Sequence, residues 1–450
     1  MFKSGLERCS KQPESSLGRV TLEREFSKTL EELSIKPTSR IVVGVSGGTD
    51  STALAALCAN WSDDAKKNCI AIIIDHGLRT GSEMQAAQSL IELEKLNLRP
   101  KIIKIEKTKP KGNLQNWARN QRYQILLSEA RTLDGILMIA HHQDDQIETM
   151  YMRLDHNSGL VGLAGMKMQR YHQAVRIIRP LLHRKKVELR AYCQLRNINT
   201  FEDPTNTDLK YDRVKARHHL IADKLLSHQL LQASVYFGKI VRVFQNHCAA
   251  WCRENIKIEL PIYASFTIAE FNCLPELMRI YLLQHLLWQI GAGNYPASVN
   301  SINIGLKKIV KREKFTLAGC IICPKNEQIE IHAEQRRSIS EVVKIVPGKP
   351  AVIDNRWLVK TNEVLYLHRI SDKFYRHTNK DENTHCFIKQ WRYPARLCIP
   401  ILRDLDGRVV QPHINGAYDE IHSSENKEKN KTAYMATLMP IRKTPFWNET

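Results

Sequence analysis

A chain of 450 residues with 43% hydrophobic and 25% charged residues has ordinary globular composition, which excludes a disordered or fibrous protein and leaves room for roughly two to three domains. Its 67 Lys and Arg against 47 Asp and Glu give a formal net charge of +20, an excess that attracts polyanions, nucleic acid first among them. The 11 cysteines are odd in number and scattered, and Lys3, Arg8 and Lys11 precede any apolar run, so the expectation is a cytoplasmic protein with no disulfide framework, no signal peptide and no membrane span.

Residues 1–38 read as an N-terminal extension, with Leu22, Phe26, Leu30 and Leu33 at helical spacing before Pro37, a stripe suited to packing on the next domain. From Arg40 the texture changes. Short β-branched runs at 41–45, 69–74, 101–105 and 135–140 alternate with helix-length segments, which predicts an α/β, doubly wound parallel sheet whose ligands bind at the carboxyl ends of its strands. This domain is taken as 39–218. Long helical patterns through Leu225, Leu230, Val235, Ile240 and Phe244 then predict a helical domain over 219–335, with a buried helix at 280–290 and basic residues from Lys307 to Lys314. Strand-like runs from Phe315 onward, with Pro347-Gly348 and Pro394, lead to a small β-containing domain over 336–450, in which 423–431 is polar. Cys320 and Cys323 form a lone C-x-x-C with no second pair at zinc spacing, so they read as buried small residues in a strand.

The chemistry begins directly after the first strand. Ser46, Gly47 and Gly48 permit a turn so tight that successive backbone N–H groups converge on an anion, and the helix that follows aims its positive end at the same point. Ser46, Gly47, Gly48, Thr49, Asp50 and Ser51 are therefore the candidate phosphate-binding residues. A carboxylate beside a polyphosphate cannot bind it directly, so Asp50 is read as a Mg²⁺ ligand. A dinucleotide fingerprint is absent here, and a Walker loop is absent throughout: Gly348-Lys349 is followed by Pro350, and Val343 stands where the first glycine belongs.

The pattern S-G-G-x-D-S resembles that of the PP-loop ATP pyrophosphatases, with an adenine nucleotide alpha hydrolase-like fold. Asp75-His76-Gly77-Leu78-Arg79, Ala118-Arg119 with Arg122-Tyr123, His141 to Thr149, Gly162-Leu163-Ala164-Gly165-Met166, Arg179-Pro180-Leu181-Leu182 and Glu202 to Asn206 follow in order and resemble the tRNA(Ile)-lysidine synthases. The resemblance covers about Arg40 to Arg217. It implies a carbon–nitrogen ligase using ATP and Mg²⁺: the wobble cytidine of the CAU anticodon of tRNA(Ile) is adenylated at C2 through its O2, and the ε-amine of free L-lysine displaces AMP. AMP and pyrophosphate are released, and codon reading changes from AUG to AUA. It adds Asp75 and His76 to the nucleotide site.

Within that frame the candidate catalytic residues are Asp50, Arg119, His142, Asp144, Asp145 and Glu148. Arg119 is either a cation for the α-phosphate or a solvated helical arginine. Asp144, Asp145 and Glu148 open a helix where carboxylates also serve as caps, yet three acids in five residues exceed what a cap needs, and fixed carboxylates select a cationic amine. By spacing, Asp144 and Glu148 share a helical face from which Asp145 is turned away; Asp145 joins Asp50 as a candidate metal ligand. A carboxylate or His142 accepts the amine's proton, and His141 is either functional or a core histidine. Arg184 and Lys185, beside Lys186 and Arg190, and Arg213 and Arg217 read as tRNA backbone contacts. A homodimer is compatible with the sequence but not specified by it.

Two departures from the family pattern fall on the substrate side: His156-Asn157 where Arg-Gly is usual, and Val214 after Arg213 where Asn is usual. A tRNA sulfur-transferase is the nearest rival, but it needs active-site thiols, and Cys58, Cys69 and Cys193 are unpaired and outside the loops that follow strands. A small-molecule amide synthetase gives no reason for the basic charge, and the intact cradle and acid cluster argue against a non-catalytic RNA-binding protein.

Overall fold

The structure, a computed structural model, describes residues 14–77, 81–105, 110, 112, 114–156, 158–201, 212–259, 261–293, 295–334, 342–368, 395–410, 413–414 and 436–440. Expectations resting on Leu78, Arg79, Asn157, 202–206 and 423–431 lie outside these residues. The chain divides into two compact units, residues 1–170 with 175–241 and residues 171–174 with 242–450.

The first unit contains α1 (Glu14–Glu32), β1 (Ile41–Val45), α2 (Thr49–Trp61), α3 (Ala65–Asn68), β2 (Cys69–Asp75), α4 (Ser82–Lys95), β3 (Arg99–Lys104), α5 (Leu114–Thr132), β4 (Ile136–Met138), α6 (Gln143–Asp155), α7 (Leu160–Leu163), the start of β5 (Gln169–His172), β6 (Val175–Ile178), α8 (Lys186–Leu195), α9 (Asp212–Ala222) and the first part of α10 (Lys224–Asn255). Its sheet has the order β3-β2-β1-β4-β6-β5, and β3, β2, β1, β4 and β6 pair in parallel. β1 is apolar without alternation because helices cover both faces: Ile41, Val43 and Val45 enter one core, and Val42 enters the other with Leu126, Leu127 and Ala130 of α5. Gly44 lets α5 approach, since a Cβ there would lie 2.8 Å from Leu126 Cδ1. The N-terminal stripe packs into the first of these cores through Leu22, Phe26 and Leu30.

This order sets where the site must be. The chain builds β2 and β3 to one side of β1 and then returns to β4 on the other, so the topological switch lies between β1 and β4. Ser46 leaves β1, and His141 and His142 follow β4 into α6. The unit runs past residue 218 because Leu220, Leu226, Leu230, Ala233 and Phe237 pack with Ile147 and Met150 of α6.

The second unit departs from the helical domain expected over 219–335. Besides α11 (Ile268–Asn272), α12 (Glu276–Ile290) and α13 (Val299–Val310), it contains β7 (Lys257–Glu259), β8 (Tyr263–Thr267), β9 (Phe315–Leu317), β10 (Cys320–Lys325) and β11 (Gln328–Ala333), an antiparallel sheet ordered β7-β8-β11-β10-β9. The strands before Phe315 escape sequence reading because β7 is three residues long and Tyr263 to Phe266 of β8 are all buried, which erases the two-residue period. Two four-stranded sheets follow, β12-β15-β16-β17 and β13-β14-β19-β18, built from β12 (Val343–Ile345), β13 (Ala351–Ile353), β14 (Trp357–Thr361), β15 (Leu365–His368), β16 (Ile401–Arg403), β17 (Val409–Val410), β18 (His413–Ile414) and β19 (Ala436–Pro440). Arg356 is fully buried and ties this unit together, donating to the carbonyls of Ile290 (2.8 Å) and Glu334 (3.1 Å) and pairing with Asp354. Cys320 and Cys323 stand three apart on β10 and so face opposite sides of the sheet. Among the described residues no helix is long and apolar enough to cross a membrane.

Candidate active site

The phosphate loop is held from both sides. Ser51 Oγ accepts from the Ser46 amide (3.1 Å), lies 3.1 Å from Ser46 Oγ and donates to the Gly48 carbonyl (3.0 Å), closing the turn on itself. From the far side, the Phe201 amide donates to the Gly47 carbonyl (2.9 Å), and Thr49 Oγ1 lies 3.2 Å from Thr200 Oγ1. Gly47 has φ +79°, and a Cβ there would lie 2.6 Å from Ser89 Oγ, so both conformation and space demand glycine. Gly48 precedes α2, whose first amides face the same turn.

Asp50 points toward the end of β4. Its Oδ2 lies 3.4 Å from His142 Nε2, and the same nitrogen lies 3.5 Å from Asp145 Oδ2, so one buried imidazole joins the phosphate loop to α6. Burial opposes charge on each partner. For Asp50 it is outweighed by the hydrogen bond and charge of His142, with Lys186 and Arg217, which hold the carboxyl below its usual range. For His142 it is outweighed by the bond to Asp50 and the charges of Asp145, Asp50 and Asp144, which raise the imidazole pKa. Asp145 also caps α6, accepting from the His142 amide at 3.0 Å. Capping and site duty therefore fall on one carboxylate.

The arginines expected on the RNA side meet these acids. Arg213 Nη2 lies 2.5 Å from Asp145 Oδ1 and its Nε 2.7 Å from Glu148 Oε2, while Arg217 Nε lies 2.7 Å from Glu148 Oε1. Asp145 and Glu148 thus share a guanidinium although their spacing had set them apart. Asp144 and Glu148 line a cavity of about 870 Å³ with His142, Lys185, Lys186, Arg190 and Arg217, whose apolar wall includes Ile147, Leu220 and Leu231. Arg184 pairs with Glu25 of α1.

A second group, which sequence reading missed as a unit, is cationic. The Arg119 and Arg170 guanidinium carbons lie 5.6 and 5.9 Å from the Tyr123 ring centre, and Arg179 Nε donates to His141 Nδ1 at 3.0 Å. Burial, then the fields of Arg179, Arg213, Arg119 and Arg122, push the His141 pKa far below its ordinary value. Burial likewise takes Arg179 down to about 10. Arg119, Arg122 and Tyr123 share one sequence motif, but nothing local in the sequence joins them to His141, Arg170 and Arg179. Asp75 shapes the turn after β2 by accepting from the Gly77 amide (2.9 Å), and burial followed by Arg122 lowers the pKa of His76.

The Gly162 to Met166 motif gains a structural reason. Gln146 accepts from the Met166 amide (2.7 Å) and donates to its carbonyl (3.2 Å), and Arg153 donates to the carbonyls of Gly162 and Gly165. Gly165 has φ +75°, and a Cβ there would strike Gln146. α6 therefore positions this loop with two side chains and the acids with three.

The residues suit ATP and a divalent cation. A Cβ at Gly47 would press on Ser89 behind the turn, and Asp50 Oδ1 is buried with no hydrogen-bond partner among the described residues. Among the described residues no three metal-ligating side chains cluster. The described thiols of this unit, Cys58, Cys69 and Cys193, are buried, and burial raises Cys69 to about 11 and Cys193 to about 12, leaving them poor nucleophiles.

Residues 19–224 match the PP-loop domain family, whose members use ATP. The tRNA(Ile)-lysidine synthase of Ruegeria pomeroyi is 30% identical over 336 residues, covering 73% of this chain and 78% of the relative. That of Rickettsia bellii is 30% identical over 332 residues (72% and 76%), and that of Wolbachia pipientis wMel 29% over 328 residues (71% and 76%). The chain belongs to the tRNA(Ile)-lysidine synthase family.

Proposed function

We propose that this protein joins free L-lysine to the wobble cytidine of CAU-anticodon tRNA(Ile) at the expense of ATP. The observation that carries the reading is His142, whose Nε2 sits 3.4 Å from Asp50 of the phosphate loop and 3.5 Å from Asp145 of the acid helix. Nucleotide cleavage and amine selection thereby share one wall.

In the first step the cytidine O2 attacks the α-phosphate and pyrophosphate leaves. Backbone amides from Ser46 to Ser51 and the start of α2 hold the phosphates, and their fixed dipoles favour the charge that develops there. Asp50, with Asp145 once Arg213 leaves it, would hold Mg²⁺, which would supply neutralisation of the phosphate charge. Arg119 adds a cation from the Tyr123 cluster. In the second step the ε-amine of lysine, freed of its proton, attacks C2 and AMP departs with the oxygen. Asp144, Asp145 and Glu148 attract the ammonium form, and a carboxylate of this group takes the proton. His142 positions Asp50 and Asp145. Lys185, Lys186 and Arg190, at the start of α8, suit the RNA backbone.

The test is a transfer assay: full-length protein with Mg-ATP, labelled lysine and CAU-anticodon tRNA(Ile) should place label on the RNA and release AMP and pyrophosphate in equal amounts. Pyrophosphate release without labelled RNA would refute the lysine assignment.

A further inference from the structure

Two of the three acids proposed to take the lysine amine, Asp145 and Glu148, already hold arginines, while Asp144 lines the cavity. Glu148 is 3% exposed in its side chain and both its oxygens are bonded, Oε1 to Arg217 and Oε2 to Arg213. Asp145 has Oδ1 bonded to Arg213 and Oδ2 to the His142 amide. Arg213 therefore competes with an incoming ammonium group for both carboxylates. A buried carboxylate without a cation is costly, so the arginines keep the site neutral before substrate arrives. Adding a lysine cation to that closed set gains little, because the attraction it seeks is already spent on a guanidinium that makes better, two-pronged contacts.

Arg213 and Arg217 lie one turn apart on α9 and share a face. Their side chains are 34% and 31% exposed, against 13% for Asp145 and 3% for Glu148, so the arginines are the solvent-facing members of the set. Arg213 also lies near Arg122, whose proton affinity its charge lowers after burial and Arg119, so a second cation adds to the attraction for a polyanion.

We infer that Arg213 is a positioning residue that serves as an internal stand-in for the lysine cation, released when RNA phosphates draw it away, so that the amine site opens only on an RNA-bound enzyme. The inference rests on the lysine reading above. It reconciles two roles that compete for the same arginines: carboxylate partners in the free protein, backbone contacts in the complex. It also gives a basis for selectivity. Only a cation can replace a cation at Asp145 and Glu148, so neutral amino acids are refused even after opening. It further predicts an order, RNA before lysine, with pairwise coupling that must be reciprocal.

The experiment is calorimetric titration of L-lysine into the full-length protein, with and without saturating CAU anticodon stem-loop RNA. Lysine should bind at least about tenfold tighter with RNA, and RNA should tighten by the same factor with lysine. Arg213→Gln should bind lysine without RNA nearly as well as the wild type does with it, lose most of the coupling, and bind RNA with a shallower salt dependence. Equal lysine affinity with and without RNA in the wild type overturns the exchange and leaves the lysine reading standing, a result independent of how any variant folds. Coupling that persists unchanged in folded Arg213→Gln assigns the release to another group and also overturns it. Absence of lysine binding in both conditions, with pyrophosphate still released, overturns the exchange and the lysine reading together.

Discussion

The phosphate loop and the acid knot lie at neighbouring strand ends yet are made in different ways. The loop is backbone: its donors are amides, its closure is Ser46 to Ser51, and its conformation hangs on the φ of +79° at Gly47. The knot is side-chain charge. It needs Asp50 from one strand end, His142, Asp145 and Glu148 from another, and Arg213 and Arg217 from a helix about 65 residues further on. A backbone site fails by strain and a charge site fails by imbalance, so the two should respond to substitution differently.

The largest effect is expected at Gly47. Gly47→Ala must adopt a left-handed conformation, costing about 1–2 kcal/mol, and must also displace Ser89. The amides then lose their common focus, and losing oriented donors of this kind costs on the order of 10²-fold or more in rate. Gly77→Ala is the control, since Gly77 has φ +58° but no described residue within 4 Å of its Cβ position. Pyrophosphate release should collapse in the first variant and fall only slightly in the second. Similar losses in both would show that conformation, not the cradle, is limiting.

This contrast also explains what the sequence disclosed. The loop was legible because strand, glycine pair and helix are contiguous, and the parallel sheet because β1 to β4 each carry a β-branched run. His141 and Asp144 to Glu148 were legible as residues but not as roles, since nothing local says that Arg213 ties Asp145 to Glu148 or that Arg179 occupies His141. The sheet formed by β7 to β11 was partly hidden because its early strands are short or buried on both faces, leaving no period to read.

A smaller effect is expected at Glu148. Glu148→Gln keeps the shape but leaves Arg213 and Arg217 short of one charge in a partly buried setting, and breaking buried pairs costs about 3–5 kcal/mol, less here because both arginines are about one-third exposed. The melting temperature should fall by several degrees while ATP binding persists. An unchanged melting temperature would mean that Glu148 is held for substrate alone. Asp144→Asn, at a residue that lines the cavity, should leave stability nearly unaltered.

The smallest effect separates two adjacent histidines that report opposite fields. Burial and four arginines keep His141 neutral, so its folded pKa lies far below 6.5; the unfolded chain takes up a proton first, and stability falls as pH descends through about 6.5. His142 behaves in reverse. Its bond to Asp50 and the surrounding carboxylates overcome burial and raise its pKa, so the stability it contributes is complete below about 6.5 and is lost as pH rises through the raised value. Each tenfold difference in proton affinity between the folded and unfolded chain is worth about 1.4 kcal/mol, a few degrees in melting temperature for a domain of this size. His141→Asn, whose amide oxygen can still accept from Arg179, should flatten the acid limb of the melting profile alone. His142→Gln should flatten the neutral-to-alkaline limb alone. If both variants changed the same limb, the arginine cluster and the carboxylate knot would be one electrostatic unit, and moving Arg213 from the acids to RNA phosphates would disturb both histidines together.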